Sequence, residues 1–289
     1  MANVRIGYFI GVDGGGSGTR ARVLAADGRF VGEGEAGPSG LSQGVAQAWA
    51  HVQEAIAAAF GGTPAAAGEC ALGLGLAGAH DAALRAACAT AAPRYGALVV
   101  DTDSHAALLG AHGGRPGIVV IAGTGSIGEA LYANGRRRVC GGWGFPVGDE
   151  GSGAWLGLRA MAVAQRAADG RGSAGPLARA VWQHAGGSDE TTLRAWCLGA
   201  GQQRYARLAP LVFDHEAADP AAARLIERAL DAIAAMACAL DATLPVATTG
   251  SIGKRLAPRL PRPLSERIVA PAGDALDGAL RLARQAAAR

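Results

Sequence analysis

A glycine-rich run at residues 13–19, DGGGSGT, lies between two stretches with the pattern of β-strands. Glycines let the backbone approach a ligand closely, and successive N–H groups in such a turn form a concave anion site. The hydroxyls of Ser17 and Thr19 add donors, and Asp13 at the strand end could hold a hydrated Mg²⁺. A plain hairpin turn is the alternative. A Walker loop and a dinucleotide fingerprint are excluded, because both need a helix after the glycines.

A second turn of this kind, GTGS at residues 123–126, follows another predicted strand. Two such turns in duplicated lobes are stronger evidence than one, because a triphosphate between them needs donors from both sides. A third turn, TTGSIGK at residues 248–254, joins a late strand to a helix, and helix N-termini favour phosphate. It contains Lys254, the single lysine among 27 basic residues, whose retention reflects either a function or chance.

The elements that must position these turns form two similar series, read from hydrophobic periodicity and turn signals. In the first series the order is βββαβαβα. Its strands are predicted at 6–13, 19–26, 30–36, 70–76 and 97–101, and its helices at 42–60, 80–92 and 104–111. The second series has strands predicted at 117–122, 127–132, 136–141, 245–249 and 266–270, and helices within 153–240, at 252–257 and at 274–288. Glycine and proline break the long helical stretch at 170–176, 186–187 and 210.

The repeated series predicts an α/β protein of two related lobes with a cleft between them. Turn chemistry places the boundary in GGRPG at residues 113–117. We therefore expect an N-terminal lobe over 1–113 and a C-terminal lobe over 114–273. The final helix, 274–289, is expected to pack back onto the first lobe.

Composition excludes several classes of protein. Half of the residues are hydrophobic and 18% are charged, so the chain can bury a large core and is not disordered. The net charge of +3 is spread out and no nucleic-acid-binding module is visible. No segment approaches the roughly 18 apolar residues of a membrane span, and no signal-peptide cleavage site follows the N-terminus. Five cysteines without a CxxC pair favour reduced thiols, so we expect a cytoplasmic protein.

The set of motifs resembles a known superfamily. DGGGSGT, TDSHAAL, IAGTGS, GGWGFPVGDEGSG and TTGSIGK, with the order of elements around them, are similar to the actin–hexokinase–Hsp70 superfamily. Within it the chain resembles the N-acetylglucosamine kinase branch, which is shared with BadF/BadG-type activator ATPases. The resemblance covers essentially the whole chain. It implies a two-lobed ribonuclease H-like (actin-like ATPase) duplication with ATP in the interdomain cleft, and a homodimer.

The resemblance also implies ATP and Mg²⁺ as cofactors and assigns residues to them. Asp13 matches the position near the metal, and Gly250 and Ser251 match the adenosine motif. Lys254 follows in the same motif. Phosphate contacts are implied for Gly14, Gly15, Gly16, Ser17, Thr19, Gly123, Thr124, Gly125 and Ser126. One departure is Gly18, since many relatives carry a lysine there that would add a positive contact.

Asp103, in the sequence TD after a strand, matches the family's catalytic aspartate, which accepts the proton of an attacking sugar hydroxyl. Phosphoryl transfer depends mostly on positioning and charge neutralisation, so a carboxylate of ordinary pKa suffices. Asp101 is the competing candidate. Asp103 could also cap the following helix, and the two roles are compatible.

The sugar side of the site is implied by two further segments. Asp149 of GDEG matches a carboxylate that binds paired sugar hydroxyls, and Trp143 could cover an apolar sugar face. As bare sequence, Trp143 would more often be a core aromatic and Asp149 a solvated turn residue. The implied sugar contacts are Ser39, Gly40, Asp103, Gly142, Trp143 and Asp149. Relatives often have an asparagine where this chain has Gly40, so the resemblance does not fix the identity of the sugar. Gly40 could instead adopt a positive φ.

The leading interpretation is an ATP-dependent kinase that phosphorylates the 6-hydroxyl of an amino sugar, N-acetylglucosamine first and glucosamine second. A small-molecule sugar is then the partner, with no nucleic acid and no membrane. The first alternative is an ATPase that activates a redox enzyme and shares an iron–sulfur cluster between two subunits, which requires two well-placed cysteines from each. The second is a sugar-sensing regulator, which is disfavoured because no helix-turn-helix segment precedes the first strand.

Overall fold

The computed structural model describes residues 6–289, and these form two units. One unit comprises the described residues up to Gly117 together with Ala270–Arg289, and the other comprises Ile118–Val269. Residues 1–5 lie outside the described residues. The predicted first lobe and the N-terminal segment without a predicted cleavage site both begin with these residues. Within residues 6–289 no helix combines the length and the apolar character that a membrane crossing requires.

The first unit is built on a five-stranded sheet in the order β3-β2-β1-β4-β5. The strands are β1 (Tyr8–Gly14), β2 (Thr19–Ala25), β3 (Phe30–Ala36), β4 (Cys70–Leu76) and β5 (Ala97–Asp101). The helices are α1 (Val45–Ala59), α2 (Ala82–Thr90) and α3 (Asp103–His112). Strand β1 is antiparallel to β2 and parallel to β4, which is parallel to β5. The carboxyl ends of β1, β4 and β5 therefore meet at one edge of the sheet.

The second unit has a four-stranded sheet in the order β8-β7-β6-β9 and a large helical part. The strands are β6 (Gly117–Ala122), β7 (Ser126–Leu131), β8 (Arg137–Gly141) and β9 (Val246–Thr249). The helices are α4 (Gly153–Ala168), α5 (Pro176–Ala185), α6 (Glu190–Cys197), α7 (Gln202–Ala206), α8 (Ala209–Asp214), α9 (Pro220–Leu240) and α10 (Gly250–Leu256). Strands β6 and β9 are parallel, with Ile121 beside Thr249. The core of this unit contains Ile118, Leu156, Met161 and Ile226, all fully buried.

The predicted elements differ from the structure at three places. The strand predicted at 266–270 is absent: Leu264–Arg267 form a 3-10 turn, and only Ile268 makes a bridge to Val246. Prolines at 263 and 271 flank this segment and lack the N–H that a strand ladder needs. The helix predicted at 42–60 starts at Val45, since Gly44 adopts φ +120°. The break predicted at residue 210 falls at 207–208, between α7 and α8, because Pro210 lies in the first turn of α8, where its missing N–H costs no hydrogen bond.

The C-terminal helix, α11 (Ala275–Ala287), packs on α3 and on the sheet of the first unit. Its N-terminus carries a capping box between Asp274 and Asp277, and the Arg22 guanidinium reaches the carboxylates of both, at 3.2 and 2.6 Å. Glycines allow its close approach: a Cβ on Gly278 would lie 1.7 Å from the carbonyl oxygen of Ala106 on α3. Helix α11 thus supports the helix that begins at Asp103.

We expect Gly278→Ala to destabilise the protein by about 1–3 kcal/mol, the usual cost of overpacking a tight contact. The cost arises because the added methyl group meets the backbone of α3, which cannot move aside as a flexible side chain could. Urea unfolding measures the change. Gly68→Ala is the matched control, because a Cβ at Gly68 meets no atom within 4 Å. Equal midpoints for the two variants would contradict the close approach of α11 and α3.

Candidate active site

The first glycine-rich turn connects β1 to β2, as the sequence predicts. The two strands pair up to Gly14 and Thr19, and the Gly15 N–H donates to the Gly18 carbonyl at 3.0 Å. Gly16 and Ser17 at the tip are exposed, and a Cβ on Gly15 would meet no atom within 4 Å. The backbone at the tip is therefore open to a ligand, as an anion site requires.

Residues 37–40 hold this turn in place through hydrogen bonds. Thr19 Oγ1 lies 2.6 Å from the Gly37 carbonyl and 2.7 Å from Ser39 Oγ. The backbone N–H groups of Ser39 and Gly40 both donate to the Gly15 carbonyl, at 3.0 and 3.1 Å. Thr19 and Ser39 are buried, at 1% and 0% exposure, so their hydroxyls hold the turn. Ser39 also leaves no room at Gly14, where a Cβ would lie 2.0 Å from Ser39 Oγ.

Gly40 does not adopt a positive φ. Its φ is −61° and its ψ is 126°, values open to any residue, so that part of the expectation is wrong. A Cβ on Gly40 would lie 3.5 Å from the Gly16 nitrogen, an ordinary contact distance. The space at this buried position therefore accommodates a Cβ, which would lie beside the first glycine turn.

Asp13 lies at the end of β1 beside its cross-strand neighbour Arg20. Arg20 Nη2 donates to Asp13 Oδ2 at 2.6 Å, and Arg20 Nη1 lies 3.6 Å from Asp274. The Asp13 side chain keeps 23% of its surface exposed next to the open turn. Mg²⁺ in nucleotide sites usually takes one or two carboxylates, waters and phosphate oxygens, so a single aspartate at this place fits such an ion. Among residues 6–289 no group of three or more His, Cys, Asp or Glu could hold a metal.

Asp103 is the first residue of α3, directly after β5 and Thr102. Thr102 is the cap of this helix, since its hydroxyl accepts the His105 N–H at 3.1 Å, so Asp103 does not cap it. A carboxylate in the first turn of a helix is favoured by the helix dipole, which stabilises its anion. A Cβ on Gly75 of β4 would lie 3.6 Å from the Asp103 Cα. Since β4 neighbours β1, Asp103 and the first glycine turn lie at the same sheet edge, two strands apart.

Asp101, the competing candidate, is the last residue of β5. Its Oδ1 accepts the Thr102 N–H at 2.7 Å, while Asp103 Oδ1 accepts the Ser104 N–H at 2.9 Å. Both side chains are partly buried. These contacts alone do not decide which of the two aspartates has the catalytic role.

The second glycine turn follows β6 and is held by α4. The N–H groups of Gly153 and Ala154, which open α4, donate to the carbonyls of Gly123 and Thr124 at 2.8 and 3.1 Å. Ser126 Oγ donates to the Glu150 carbonyl at 2.7 Å, so this buried hydroxyl is used inside the protein. Thr124 remains exposed.

Asp149 is buried against this turn, at 5% exposure, and is not the solvated turn residue that bare sequence favours. Its Oδ1 accepts the Gly144 N–H at 3.2 Å and its Oδ2 accepts from Gln202 Nε2 at 2.7 Å. Burial raises the pKa of the Asp149 carboxyl, while the hydrogen bonds from Gly144 and Gln202 act to lower it. A Cβ on Gly125 would lie 2.7 Å from Asp149 Oδ2, so the carboxylate lies against the backbone of the glycine turn.

Trp143 lies on a loop between β8 and α4 and is not a core residue. It is 87% exposed, and Val147 on the same loop is 85% exposed. Gly142 is also exposed and has φ +71°. The loop therefore presents an apolar surface directly before the buried Asp149.

The third turn lies at the start of α10, beside the second. Gly250 has φ +79°, and a Cβ there would lie 2.3 Å from the carbonyl oxygen of Ala122. This close packing follows from the pairing of β9 with β6, whose carboxyl ends lie together. Ser251 and Lys254 are exposed, with Lys254 in the last turn of the helix.

The comparisons with known proteins identify the family. The sequence profile of the BadF/BadG/BcrA/BcrD ATPase family matches residues 10–260, which is most of the chain. The chain belongs to this family. Over 282 residues, 96% of this chain and 95% of the relative, it is 36% identical to a glucosamine kinase of Vibrio cholerae.

Solved structures agree with this family assignment. A protein of Chromobacterium violaceum, proposed to be an N-acetylglucosamine kinase, is 49% identical with a TM-score of 0.92, covering 96% of this chain and 99% of that one. A ROK family glucokinase of Streptomyces griseus, solved with glucose and AMPPNP, is 21% identical with a TM-score of 0.54, covering 96% and 100%. The second likeness shows the fold alone. The predicted resemblance and the α/β actin-like fold class are confirmed.

The sequence did not point to two residues of the candidate site, Arg20 and Gln202. Arg20 could have been found, because a hairpin around residues 13–19 puts Asp13 and Arg20 side by side. Gln202 could not, because it is 53 residues from Asp149 and belongs to a helix of five residues without a motif.

The alternative function, an activator ATPase that shares an iron–sulfur cluster between two subunits, depends on the positions of the cysteines. Cys70 and Cys88 are buried in the first unit, and burial raises the pKa of each thiol to about 11. Cys140 and Cys197 are half-buried and Cys238 is exposed. No observation on the described cysteines favours the activator function.

Proposed function

We propose that this protein is an ATP-dependent kinase that phosphorylates the 6-hydroxyl of a free amino sugar, with N-acetylglucosamine as the first candidate and glucosamine as the second. The observation that carries the proposal is the place of Asp103 at the same sheet edge as the open glycine turn after β1. The similarity to a glucosamine kinase over almost the whole chain supports the same activity.

In the proposed mechanism the backbone N–H groups of the turns at 13–19 and 123–126 bind the phosphates of ATP. Asp13 would hold Mg²⁺, which supplies charge neutralisation on the phosphate oxygens when bound. Asp103 accepts the proton of the 6-hydroxyl as that oxygen attacks the γ-phosphorus and ADP leaves. Asp149 accepts hydrogen bonds from sugar hydroxyls, and Trp143 covers an apolar face of the sugar.

A coupled assay of ADP release over a panel of hexoses and amino sugars tests the proposal. We expect N-acetylglucosamine or glucosamine to give the highest kcat/KM, and the product to be the 6-phosphate. ADP release that depends on no sugar contradicts it. Iron and visible absorbance in anaerobically purified protein would then point to the activator alternative.

Gly40→Asn is expected to lower KM for the preferred sugar a few-fold to about tenfold, since one neutral hydrogen bond is worth about 0.5–1.5 kcal/mol. KM for ATP and kcat should change little, because such a contact binds ground and transition states alike. Initial rates against both substrates measure the effect. Gly40→Ala is the control, as its Cβ fits but brings no amide. Equal sugar KM values for the two variants would place residue 40 outside the acceptor site.

A further inference from the structure

Gln202 joins three segments of the second unit around one carboxylate. It is the first residue of α7, and its Nε2 donates to Asp149 Oδ2 at 2.7 Å. Asp149 closes the loop that carries Trp143, and its Oδ1 accepts the Gly144 N–H. A Cβ on Gly125 would lie 2.9 Å from Gln202 Nε2, so the amide also lies against the second glycine turn.

The backbone of Asp149 shows that this arrangement is enforced. Asp149 has φ +59° and is the single non-glycine residue with a positive φ among the described residues. Aspartate tolerates the left-handed region better than most residues, but the conformation persists only where surrounding contacts hold it. The amide of Gln202 is one of those contacts, and it reaches the carboxylate from another element.

We propose that Gln202 is a positioning residue for the acceptor sugar, which fixes the orientation of the Asp149 carboxylate beside the second glycine turn. This inference rests on the proposed kinase function. A carboxylate held at one oxygen by Gln202 and at the other by Gly144 keeps its remaining lone pairs in a fixed direction for sugar hydroxyls. Without the amide the carboxylate keeps only its backbone partners, the N–H groups of Gly144 and Ser126. It is then oriented less strictly, and ordering it lowers the affinity for the sugar.

Loss of the amide also shifts the pKa of Asp149. Burial raises the pKa of Asp149, the neighbouring carboxylate of Glu150 raises it further, and the hydrogen bond from Gln202 lowers it. A group that acts as the anion loses activity as the pH falls through its pKa. Removing Gln202 raises that pKa, so the acidic limb of the pH–rate profile should move to higher pH.

The experiment compares Gln202→Leu with Gln183→Leu. Gln183 is an exposed glutamine on α5, in the same unit. We expect Gln202→Leu to raise KM for the sugar about 10- to 100-fold, the usual effect of removing a partner that orients a ligand-binding side chain. KM for ATP should stay within about twofold of wild type, and the acidic limb should shift upward. Calorimetric binding of the sugar to the protein without ATP should weaken by the same factor. Gln183→Leu should match wild type in every measurement.

A second variant, Gln202→Glu, guards against a folding defect. It keeps the shape of the side chain but places a carboxylate against Asp149, and two adjacent carboxylates share a proton as the pH falls. We expect weaker sugar binding at neutral pH that partly recovers at acid pH, which a merely structural defect does not produce. An active wild type with Gln202→Leu unchanged in sugar KM and pH profile overturns this inference alone. A wild type that phosphorylates no sugar overturns the proposed function and this inference together.

Discussion

Asp103→Asn is expected to lower kcat by about 10²–10⁴, the usual contribution of a positioned general base. The amide cannot accept the proton of the attacking hydroxyl, while it keeps the size of the carboxylate. The fold should be unchanged, because Thr102 and not Asp103 caps α3. Stopped assays of sugar phosphate give kcat, and thermal melting together with nucleotide binding verifies the fold.

Asp101→Asn is the matched control for this prediction. It removes the same charge two residues away, at the end of β5. We expect it to keep most of the activity. Near-normal kcat in Asp103→Asn combined with loss of activity in Asp101→Asn would transfer the catalytic role to Asp101.

Asp13→Ala is expected to abolish most Mg²⁺-dependent turnover, because Asp13 is the acid that adjoins the open turn after β1. Its removal also leaves Arg20 without its 2.6 Å partner beside the phosphate site. Nucleotide without Mg²⁺ should therefore bind to the variant at least as tightly as to wild type, while Mg²⁺ should no longer improve turnover. Initial rates against free Mg²⁺, and calorimetric ADP binding with and without Mg²⁺, measure both effects.

Asp27→Ala serves as the control for Asp13→Ala. Asp27 is an exposed aspartate in the turn between β2 and β3, where it accepts the Arg29 N–H. This variant should keep the Mg²⁺ dependence of wild type. If Asp13→Ala retains that dependence as well, the metal must be held elsewhere.

Much of the fold follows from local sequence patterns. Strands β4, β5 and β6 have the predicted bounds, because each is a short apolar run between turn residues. The failures come from local signals that the periodicity did not weigh. Pro263 and Pro271 flank the segment in which only Ile268 makes a bridge, and Gly44, with φ +120°, delays the start of α1 to Val45.

The candidate site also combines features that the sequence predicts with features that depend on packing. Glycine spacing and a strand-end acid are local signals of phosphate chemistry, and they identified both glycine turns and Asp13. Asp103, Asp149 and the family were identified through the resemblance of the whole motif set. The roles of the individual residues remain predictions. The pairing of Asp13 with Arg20 could also have been predicted from the sequence, since hairpin register follows from turn length.

Only the tertiary structure decided which polar groups are used inside the protein and which stay open. Thr19, Ser39 and Ser126 carry hydroxyls suited to a ligand, yet burial and hydrogen bonds commit them to holding the turns. The contact of Gln202 with Asp149 spans 53 residues. Such contacts depend on how separate elements pack, because a hydrogen bond needs two groups within about 3 Å and sequence spacing sets that distance only for near neighbours. The sequence thus determined the chemistry available, and packing determined its orientation.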